Sequence, residues 1–440
     1  MAGKKEKVVL AYSGGLDTSV AIQWLAEKYN VDIITLTVDV GNPKDFAAAR
    51  EKALKIGALK AIVIDAKEMF VKYFIWHALQ ANALYEGQYP LATALSRPLM
   101  AKLLVDTALE EGANSVAHGC TGKGNDQVRF DVGVHALAPH LKVLAPAREW
   151  GMTRAETIAY AHKRGIPIPI TKKSPYSIDE CLWGRSIETG VLEDPWVEPP
   201  ADVYTWTKSP DKTPNKPAYV EIGFEKGIPV SLDGQEYDGV TLIQRMNELA
   251  GDHGIGRIDH IENRLVGIKS REIYEAPAAT VLLQAHQALE AMTLSKDQMR
   301  FKQKVAIEIA DIIYNGLWFS AQNRDLAAYI QSSQRYVTGT IRTKLFKGSA
   351  QVVGRTAPKS LYNLSLATYD KGDKFDQSMS VGFIHIWGLP VVTQSQVQLL
   401  GDTEGPLSII APKKQLKKTK TAPGKPARKP NRSKQEQGKG

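Results

Sequence analysis

The chain has 440 residues, of which 43% are hydrophobic and 23% charged, a composition typical of a folded protein long enough for two domains. Its two cysteines, Cys120 and Cys181, form no C-x-x-C pair, which disfavours a zinc site or a disulfide scaffold and favours a reducing, cytoplasmic compartment. No apolar run reaches the roughly 18 residues of a membrane span, and the one after the basic start is too short for a signal peptide.

The net charge of +9 is concentrated near the C-terminus. Residues 412–440 contain 11 lysines and arginines and one acidic residue, whereas residues 1–411 contain 45 basic and 46 acidic residues. We therefore predict a nearly neutral folded body followed by a disordered basic tail. Two interpretations of the tail stay open: a solvated extension, or a weak contact for RNA or another anionic surface.

Strand and helix patterns alternate through residues 1–170. Apolar strands are predicted at Val8–Tyr12, Asp32–Val38, Ala61–Asp65, Ser115–His118 and Lys142–Pro146. Helical patterns are predicted at Thr18–Tyr29, Asp45–Ile56, Glu68–Leu84, Arg97–Glu110, Asp126–Leu137 and Thr153–Arg164. This alternation predicts an α/β fold with a doubly wound parallel sheet and helices on both of its faces.

The first strand runs directly into the polar segment Ser13–Ser19, where the first helix begins. Helix N-termini present unpaired backbone N–H groups, and glycines allow these groups to approach a ligand closely. The segment is therefore suited to phosphate or pyrophosphate, although it matches neither the P-loop pattern nor the dinucleotide-binding pattern. The simpler alternative is an ordinary turn in which Asp17 or Thr18 caps the helix.

Two further polar clusters follow predicted strands. Thr37 lies near the end of the second strand, and the glycine-rich residues 117–131 follow the fourth. Because ligands bind at the carboxyl ends of parallel strands, we expect these clusters and the first loop to form one site. Asn125 can donate and accept, Asp126 can accept from an ammonium group, and Arg129 can fork onto a carboxylate, which suits a zwitterionic amino acid. The alternative is a solvated loop in which Asn125 caps the next helix.

Beyond about residue 170 the pattern predicts an α+β domain. A hairpin is predicted within residues 217–234, and helices and strands follow at Thr241–Leu249, Pro277–Leu289, Ser295–Asn315, Tyr336–Phe346 and Ala350–Gly354. A last segment, Val381–Leu399, contains the apolar sequence VGFIHIW, which we predict to be a strand. Pro390 in this segment suits the first turn of a helix but not its middle.

Five long motifs together resemble the argininosuccinate synthase family of N-type ATP pyrophosphatases from about residue 7 to about residue 390. The motifs are AYSGGLDTS, ALYEGQYPLATALSRP, HGCTGKGNDQVRF, IPIPITKKSPYSIDE and GIGRIDHIENRLVGIKSREIYEAP. The resemblance implies a ligase of arginine biosynthesis and the urea cycle that joins citrulline to aspartate. The products would be argininosuccinate, AMP and diphosphate, formed through a citrulline-adenylate.

The family resemblance also implies a domain organisation and a homotetramer. An ATP-binding domain would span residues 1–170 and a synthetase and multimerisation domain residues 171–375. A C-terminal oligomerisation segment would span residues 376–411, before the tail at 412–440.

The resemblance further implies which residues bind the substrates. ATP would contact Ala11, Tyr12, Ser13, Gly14, Gly15, Leu16, Asp17, Thr18, Ser19, Thr37 and Gly119. Aspartate would contact Thr121, Asn125 and Asp126. Citrulline would contact Tyr89, Asn125, Arg129, Ser177, Ser186, Glu262 and Tyr274. Mg²⁺ would arrive on the ATP phosphates without a dedicated set of protein ligands, and Asp17 would be either its outer ligand or a helix cap.

The chain departs from the family pattern at two positions, and two other functions stay open. Ala94 stands where some members contact citrulline through a serine, so that contact is absent or shifts to Thr93. Cys120 replaces a more usual small residue. One alternative function is a tRNA-thiolating or lysidine-forming enzyme, although Cys120 and Cys181 lack the thiolation motif. The other is a non-catalytic nucleotide-binding protein, which would not need the second domain.

Overall fold

The computed structural model describes residues 5–167 and 176–400. The chain divides into two compact units, Met1–Tyr362 and Asn363–Gly440. The tail predicted at residues 412–440 lies outside the described residues. The domain boundaries predicted from the sequence stay predictions.

The first sheet is entirely parallel and confirms the predicted α/β fold. Its five strands are Lys7–Ala11 (β1), Asp32–Asp39 (β2), Lys60–Asp65 (β3), Ser115–Ala117 (β4) and Lys142–Leu144 (β5). Across the sheet they lie in the order β3-β2-β1-β4-β5, and every neighbouring pair is parallel. The strand order therefore reverses between β1 and β4, which is where an open α/β sheet forms its binding crevice.

Helices cover both faces of this sheet because its buried strands are apolar on both sides. Val8 and Leu10 enter one apolar cluster, whereas Val9 between them enters another, as expected when side chains alternate across a strand. The helices are Leu16–Tyr29 (α1), Phe46–Ile56 (α2), Lys67–Phe70 (α3), Trp76–Ala81 (α4), Ala92–Glu111 (α5), Asp126–Leu137 (α6), Pro146–Glu149 (α7) and Arg154–Lys163 (α8).

Two of these helices differ from the prediction. The single helix predicted over Glu68–Leu84 is instead α3 and α4 joined by a π-helical turn at Val71–Ile75. Helix α5 begins at Ala92, five residues before the predicted start at Arg97, and thereby also includes Thr93.

Two antiparallel sheets follow in the same compact unit. Their strands are Ser177–Cys181 (β6), Gly184–Glu188 (β7), Ala218–Glu225 (β8), Ile228–Leu232 (β9), Gln235–Glu236 (β10), Arg257–Asn263 (β11), Lys269–Glu275 (β12), Gly339–Phe346 (β13) and Ser349–Thr356 (β14). One sheet has the order β11-β12-β7-β6 and the other β10-β9-β8-β13-β14. The predicted hairpin and last two strands are confirmed, but the sequence analysis missed the strands of the first of these sheets.

The helices of this region are Gly239–Asp252 (α9), Pro277–Thr293 (α10), Lys296–Tyr314 (α11) and Ala321–Ser333 (α12). The predicted starts of α10 and α11 follow ordinary capping chemistry. Pro277 occupies the first turn of α10, where its missing N–H is not needed. Ser295 and Gln298 form a reciprocal capping box at the start of α11.

The second unit contains the helices Leu364–Ala367 (α13) and Met379–Gln394 (α14). The strand predicted from VGFIHIW is wrong, because this sequence lies within α14. A continuous apolar run has neither period 2 nor period 3.6, so it does not distinguish a strand from a helix. The expectation for Pro390 is also wrong, because Pro390 lies inside α14 rather than in its first turn. In the described part of the chain, no helix has both the length and the apolarity needed to cross a bilayer.

Candidate active site

Two cavities in the first compact unit adjoin at the carboxyl end of the parallel sheet. The sheet-edge cavity, of about 560 Å³, is lined by the loop after β1, the end of β2 and part of β6. The inner cavity, of about 210 Å³, is lined by α5, α6, α11 and the sheet that contains β12. Four residues line both cavities and define what we call the junction: Cys120, Asp126, Asp179 and Glu188.

The structure brings nearly all of the predicted ATP-site residues to the sheet-edge cavity. Nine of them line it: Ala11, Tyr12, Ser13, Gly15, Leu16, Asp17, Thr18, Thr37 and Gly119. Ser19 is instead fully buried, with its hydroxyl 3.2 Å from that of Tyr12. Gly14 has a φ of +76°, and its carbonyl accepts a hydrogen bond of 2.8 Å from Lys52 Nζ. These two residues shape the loop rather than line the cavity.

Most of the predicted amino-acid contacts line the inner cavity. They are Tyr89, Thr121, Asn125, Asp126, Arg129, Ser186, Glu262 and Tyr274. Ser177 lines the sheet-edge cavity instead. Thr93 lines the inner cavity, whereas the lining does not include Ala94. Thr93 is therefore available to a ligand in this cavity, and the shift of the contact from position 94 to Thr93 stays a prediction.

The loop after β1 leaves the start of α1 open. Gly15 is the residue before the helix, with φ −73° and ψ 179°, and no side chain caps the helix. The alternative in which Asp17 or Thr18 acts as the cap is therefore wrong. Asp17 is exposed to the cavity. Desolvation by the surrounding protein nevertheless raises the pKa of its carboxyl, and the positive charge of Arg154 partly offsets this rise. The first-turn N–H groups and the helix dipole together make this end of α1 suited to an anion.

Side-chain hydrogen bonds fix the loop after β4 at its start and at its end. His118 Nδ1 accepts a hydrogen bond of 3.2 Å from the backbone N–H of Cys120, so in its neutral form Nε2 carries the proton and donates to Asp131. Asn125 occupies the position before α6, but its side chain makes no capping hydrogen bond there, which contradicts the solvated-loop alternative. Its amide donates to the Tyr314 hydroxyl at 2.8 Å and accepts from the backbone N–H of Leu265 at 2.9 Å.

Asp126 lies between two arginines. Its Oδ2 is 2.7 Å from Arg97 Nη2 and its Oδ1 is 2.9 Å from Arg129 Nη1. Burial opposes ionisation of this carboxyl, but the two guanidinium charges outweigh it and hold the pKa of Asp126 well below its usual range. Arg129 Nε donates to the Tyr314 carbonyl at 2.9 Å, whereas its buried Nη2 has no hydrogen-bond partner within residues 5–167 and 176–400. Arg129 therefore offers a ligand one free nitrogen and not the full fork that we expected.

Glu262 anchors the aromatic wall of the inner cavity. It is 3% exposed and accepts hydrogen bonds from the hydroxyls of Tyr274, at 2.5 Å, and Tyr314, at 2.6 Å. Tyr89 stacks on Tyr274 with ring centroids 4.1 Å apart, and Tyr85 stacks on Tyr314 at 3.5 Å. The carboxylate and the rings fix one another, so this wall is organised before any ligand binds.

The sequence analysis missed several charged residues of the site, above all Arg97, Asp179, Glu188, Arg264 and Glu272. Most of them come from the sheet that the analysis missed. Strand register aligns Asp179, Ser186 and Tyr274 in one row, and Glu188 and Glu272 each lie two residues from a member of that row. The alternation of polar residues in β6, β7 and β12 was the signal that could have revealed this face.

Glu272 has the most perturbed carboxyl on this face. Burial, followed by the neighbouring charges of Glu188 and Glu262, raises its pKa to about 8. Arg264 opposes this shift through an Nη2–Oε1 contact of 2.6 Å and also pairs with Glu188. Five carboxyl groups, those of Asp126, Asp179, Glu188, Glu262 and Glu272, line the inner cavity, and the ionised ones suit a ligand with ammonium groups.

Comparisons with known proteins identify the family. The model described as "Arginosuccinate synthase N-terminal HUP domain" matches residues 7–167, and "Arginosuccinate synthase C-terminal domain" matches residues 176–394. A curated relative from Dehalococcoides mccartyi named argininosuccinate synthase is 63% identical over 399 residues, covering 91% of this chain and 98% of the relative. A relative of the same name from Symbiobacterium thermophilum is 59% identical, covering 90% of this chain and 98% of the relative. Another from Oceanobacillus iheyensis is 57% identical, covering 89% of this chain and 94% of the relative.

The matched segments include both the parallel sheet and the sheets that follow it, and hence every wall of the two cavities. Similarity at this level over most of both chains extends well beyond a shared nucleotide-binding domain. The chain belongs to the argininosuccinate synthase family of ATP-dependent carbon–nitrogen ligases.

Proposed function

We propose that the protein joins L-citrulline to L-aspartate with consumption of ATP and releases argininosuccinate, AMP and diphosphate. The observation that carries the proposal is the junction, where a cavity that begins at a helix N-terminus meets a cavity lined by carboxyl groups and two arginines. This arrangement suits a nucleotide whose α-phosphate has to reach an amino-acid side chain. The reaction would belong to arginine biosynthesis and the urea cycle.

The chemistry requires alignment and charge stabilisation more than a covalent nucleophile. A ureido group reacts poorly with an amine because its oxygen is a poor leaving group. Transfer of AMP to that oxygen, with departure of diphosphate, makes a citrulline-adenylate from which the aspartate amine displaces AMP. The protein has to hold three substrates in line and offset phosphate charge, which are contributions of positioning and electrostatics.

ATP would occupy the sheet-edge cavity, with its β- and γ-phosphates at the start of α1. Gly15 and the N–H groups of the first turn would donate to phosphate oxygens, and the hydroxyls of Ser13 and Thr18, 3.0 Å apart, would add further donors. Thr37 and Gly119 would lie along the adenosine. ATP enters such sites with Mg²⁺, and the Asp17 carboxylate at the cavity is an oxygen group of the kind that Mg²⁺ accepts.

The two amino acids would share the inner cavity. Aspartate would contact Thr121, Asn125 and Asp126, the last of which would accept from its ammonium group. Citrulline would contact the aromatic wall and Glu262, and the free Nη2 of Arg129 would donate to its carboxylate. Tyr89 and Ser186 would complete the citrulline contacts within this cavity, and Ser177 would contact citrulline from the sheet-edge cavity.

We further propose a homotetramer in a reducing, cytoplasmic compartment. Within the second unit, α14 is apolar along its length and has no buried residue, and Trp387 is 72% exposed. Large exposed apolar surfaces of this kind are typical of subunit contacts. The free thiols of Cys120 and Cys181 support the reducing compartment. The proposed boundaries near residues 170, 375 and 411 separate the ATP-binding domain, the synthetase domain, the oligomerisation segment and the tail. The basic tail is suited to weak contact with nucleic acid.

The deciding experiment measures AMP release from ATP by the full-length protein with citrulline and aspartate present together, singly and absent. We expect rapid AMP release only when both amino acids are present, with argininosuccinate formed in equal amount. AMP release that ignores either amino acid would contradict the proposal. Variants with Cys120→Ala and Cys181→Ala should keep this activity, and its loss in both would favour a thiolation chemistry instead.

A further inference from the structure

The junction between the two cavities is acidic. Three of its four lining residues are carboxylates: Asp126, Asp179 and Glu188. If the proposed function is correct, an α-phosphate arrives here from one side and a ureido oxygen from the other. Arg129 already pairs with Asp126, and Arg264 already pairs with Glu188. Among the described residues, Asp179 forms an ion pair only with Arg97. Because like charges held close together disfavour binding strongly, a further cation must offset the remaining charge before the first bond can form.

Arg97 is the cation placed to do this. It lies on α5, is 8% exposed, and directs one nitrogen, Nη2, toward both Asp126 and Asp179. Its Nη1 donates to Ser96 Oγ at 2.9 Å, which fixes the plane of the guanidinium. Arg97 also lines the sheet-edge cavity, so its charge faces the side from which the nucleotide arrives.

The two carboxylates come from different parts of the fold. Asp126 begins α6, whereas Asp179 lies on β6 of the antiparallel sheet. Arg97 therefore joins the parallel-sheet part of the site to the antiparallel sheet at the junction.

We propose that Arg97 is a positioning residue for the adenylation step. Its guanidinium offsets the charge of Asp126 and Asp179 at the junction, so that the α-phosphate can approach the ureido oxygen. In that step the ureido oxygen forms a bond to the α-phosphorus, and the bond from phosphorus to the bridging oxygen breaks. The electron pair leaves with diphosphate. The inference rests on the proposed function and adds a residue that our sequence analysis did not assign.

The test measures citrulline-dependent exchange of labelled diphosphate into ATP, which reports adenylation without the second step. In Arg97→Met we expect the exchange rate at saturating substrates to fall about 100- to 1,000-fold, as on removal of a group that stabilises transition-state charge. Arg97→Lys keeps the charge but loses the planar group that reaches both carboxylates, so we expect a smaller loss. Exchange by Arg97→Met within threefold of the wild type would overturn the inference.

A second variant separates charge compensation from simple structural support. Adding Asp179→Asn to Arg97→Met removes a carboxylate that the arginine no longer offsets, so we expect exchange to recover at least about tenfold. A double variant no faster than Arg97→Met would overturn the inference even if both proteins fold. Wild-type protein without citrulline-dependent exchange would instead refute the proposed function, and this inference with it.

Arg185 provides the matched control. Its side chain is 2% exposed and, like that of Arg97, contacts two carboxylates, those of Glu180 and Glu275. Arg185 lines neither cavity. Arg185→Met should lower the melting temperature while the folded fraction keeps its exchange rate. An equal loss of exchange in this control would show that any broken buried ion pair has the same effect and would overturn the role given to Arg97.

Discussion

Replacing Gly15 with valine tests whether the start of α1 binds phosphate. Gly15 has φ −73° and ψ 179°, an extended conformation that valine adopts readily. A Cβ added there meets only Ser13 Oγ, at 3.3 Å, a tight contact that a small movement of the exposed Ser13 side chain relieves. Loss of a glycine before the helix costs about 0.5–1 kcal/mol. With an unfolding entropy of about 2.1 cal/mol/K per residue, the melting temperature should fall by only about 1 °C.

The effect of Gly15→Val on ATP should be much larger than its effect on stability. The added carbons would keep a phosphate oxygen from the N–H groups, and losing one charge-assisted hydrogen bond costs about 1.5–3 kcal/mol. This corresponds to a rise in Kd of about 10- to 150-fold at 1.4 kcal/mol per factor of ten. Calorimetry would give the Kd for ATP, and thermal unfolding would be followed in parallel.

Gly57→Ala is the matched control for this substitution. Gly57 ends α2 at a φ of +117°, and an added Cβ meets nothing within 4 Å. Alanine there is strained by about 1–3 kcal/mol, so it should lower the melting temperature more than Gly15→Val does and leave ATP binding unchanged. A Kd for Gly15→Val within threefold of the wild-type value would refute the assignment of phosphate to this loop.

Three further predictions follow from the charges of the protein. Asp126→Asn should raise the KM for aspartate about 10- to 150-fold. It should also lower the melting temperature, because two arginines lose their anionic partner. Equal rises in KM for ATP, citrulline and aspartate in separate titrations would contradict the proposed role. Burial and neighbouring carboxylates raise the pKa of Glu272 to about 8, so the folded protein binds an extra proton between about pH 4.5 and 8. The free energy of unfolding should therefore fall as pH rises through this range, by at most about 1.4 kcal/mol per pH unit, and Glu272→Gln should flatten the slope seen in denaturant titrations. Truncation after Ala411 removes a charge of +10 and should weaken retention on heparin while leaving turnover intact; loss of folding would show that the tail is structural.

The parallel sheet was predictable because its signals are local. Apolar strands such as Asp32–Asp39 are separated by amphipathic helices, and Gly57 and Gly112 end α2 and α5 in the left-handed conformation expected of helix ends. Helix α14 was not predictable in the same way, because a helix that is apolar on every side has no periodicity to detect. In this segment, composition alone could not select between strand and helix.

The same distinction applies to the residues of the site: those with a local sequence signal were predicted, and those without one were missed. The loops after β1 and β4 were found because glycines and polar residues interrupt the sequence directly after a strand. Arg97 was missed because it lies in a mostly apolar stretch of α5, where a single charged residue does not by itself indicate a binding site. Its partner Asp179 is 82 residues away, and only the folded chain brings the two together. Contacts of this kind depend on tertiary structure rather than on local pattern.

Both halves of the chain contribute walls to the inner cavity, so neither half can form this cavity alone. Asn125 and Arg129 reach it from the parallel-sheet half of the chain, whereas Glu262 and Tyr274 reach it from the antiparallel half. A gene fragment that encodes only the first half retains the helix start to which we assign the triphosphate, but it lacks the wall that Glu262 and Tyr274 form. The second half alone lacks the proposed nucleotide site. A change of substrate would therefore require matched changes in both halves, and complementation by two separate fragments should succeed only if they reassemble this shared cavity.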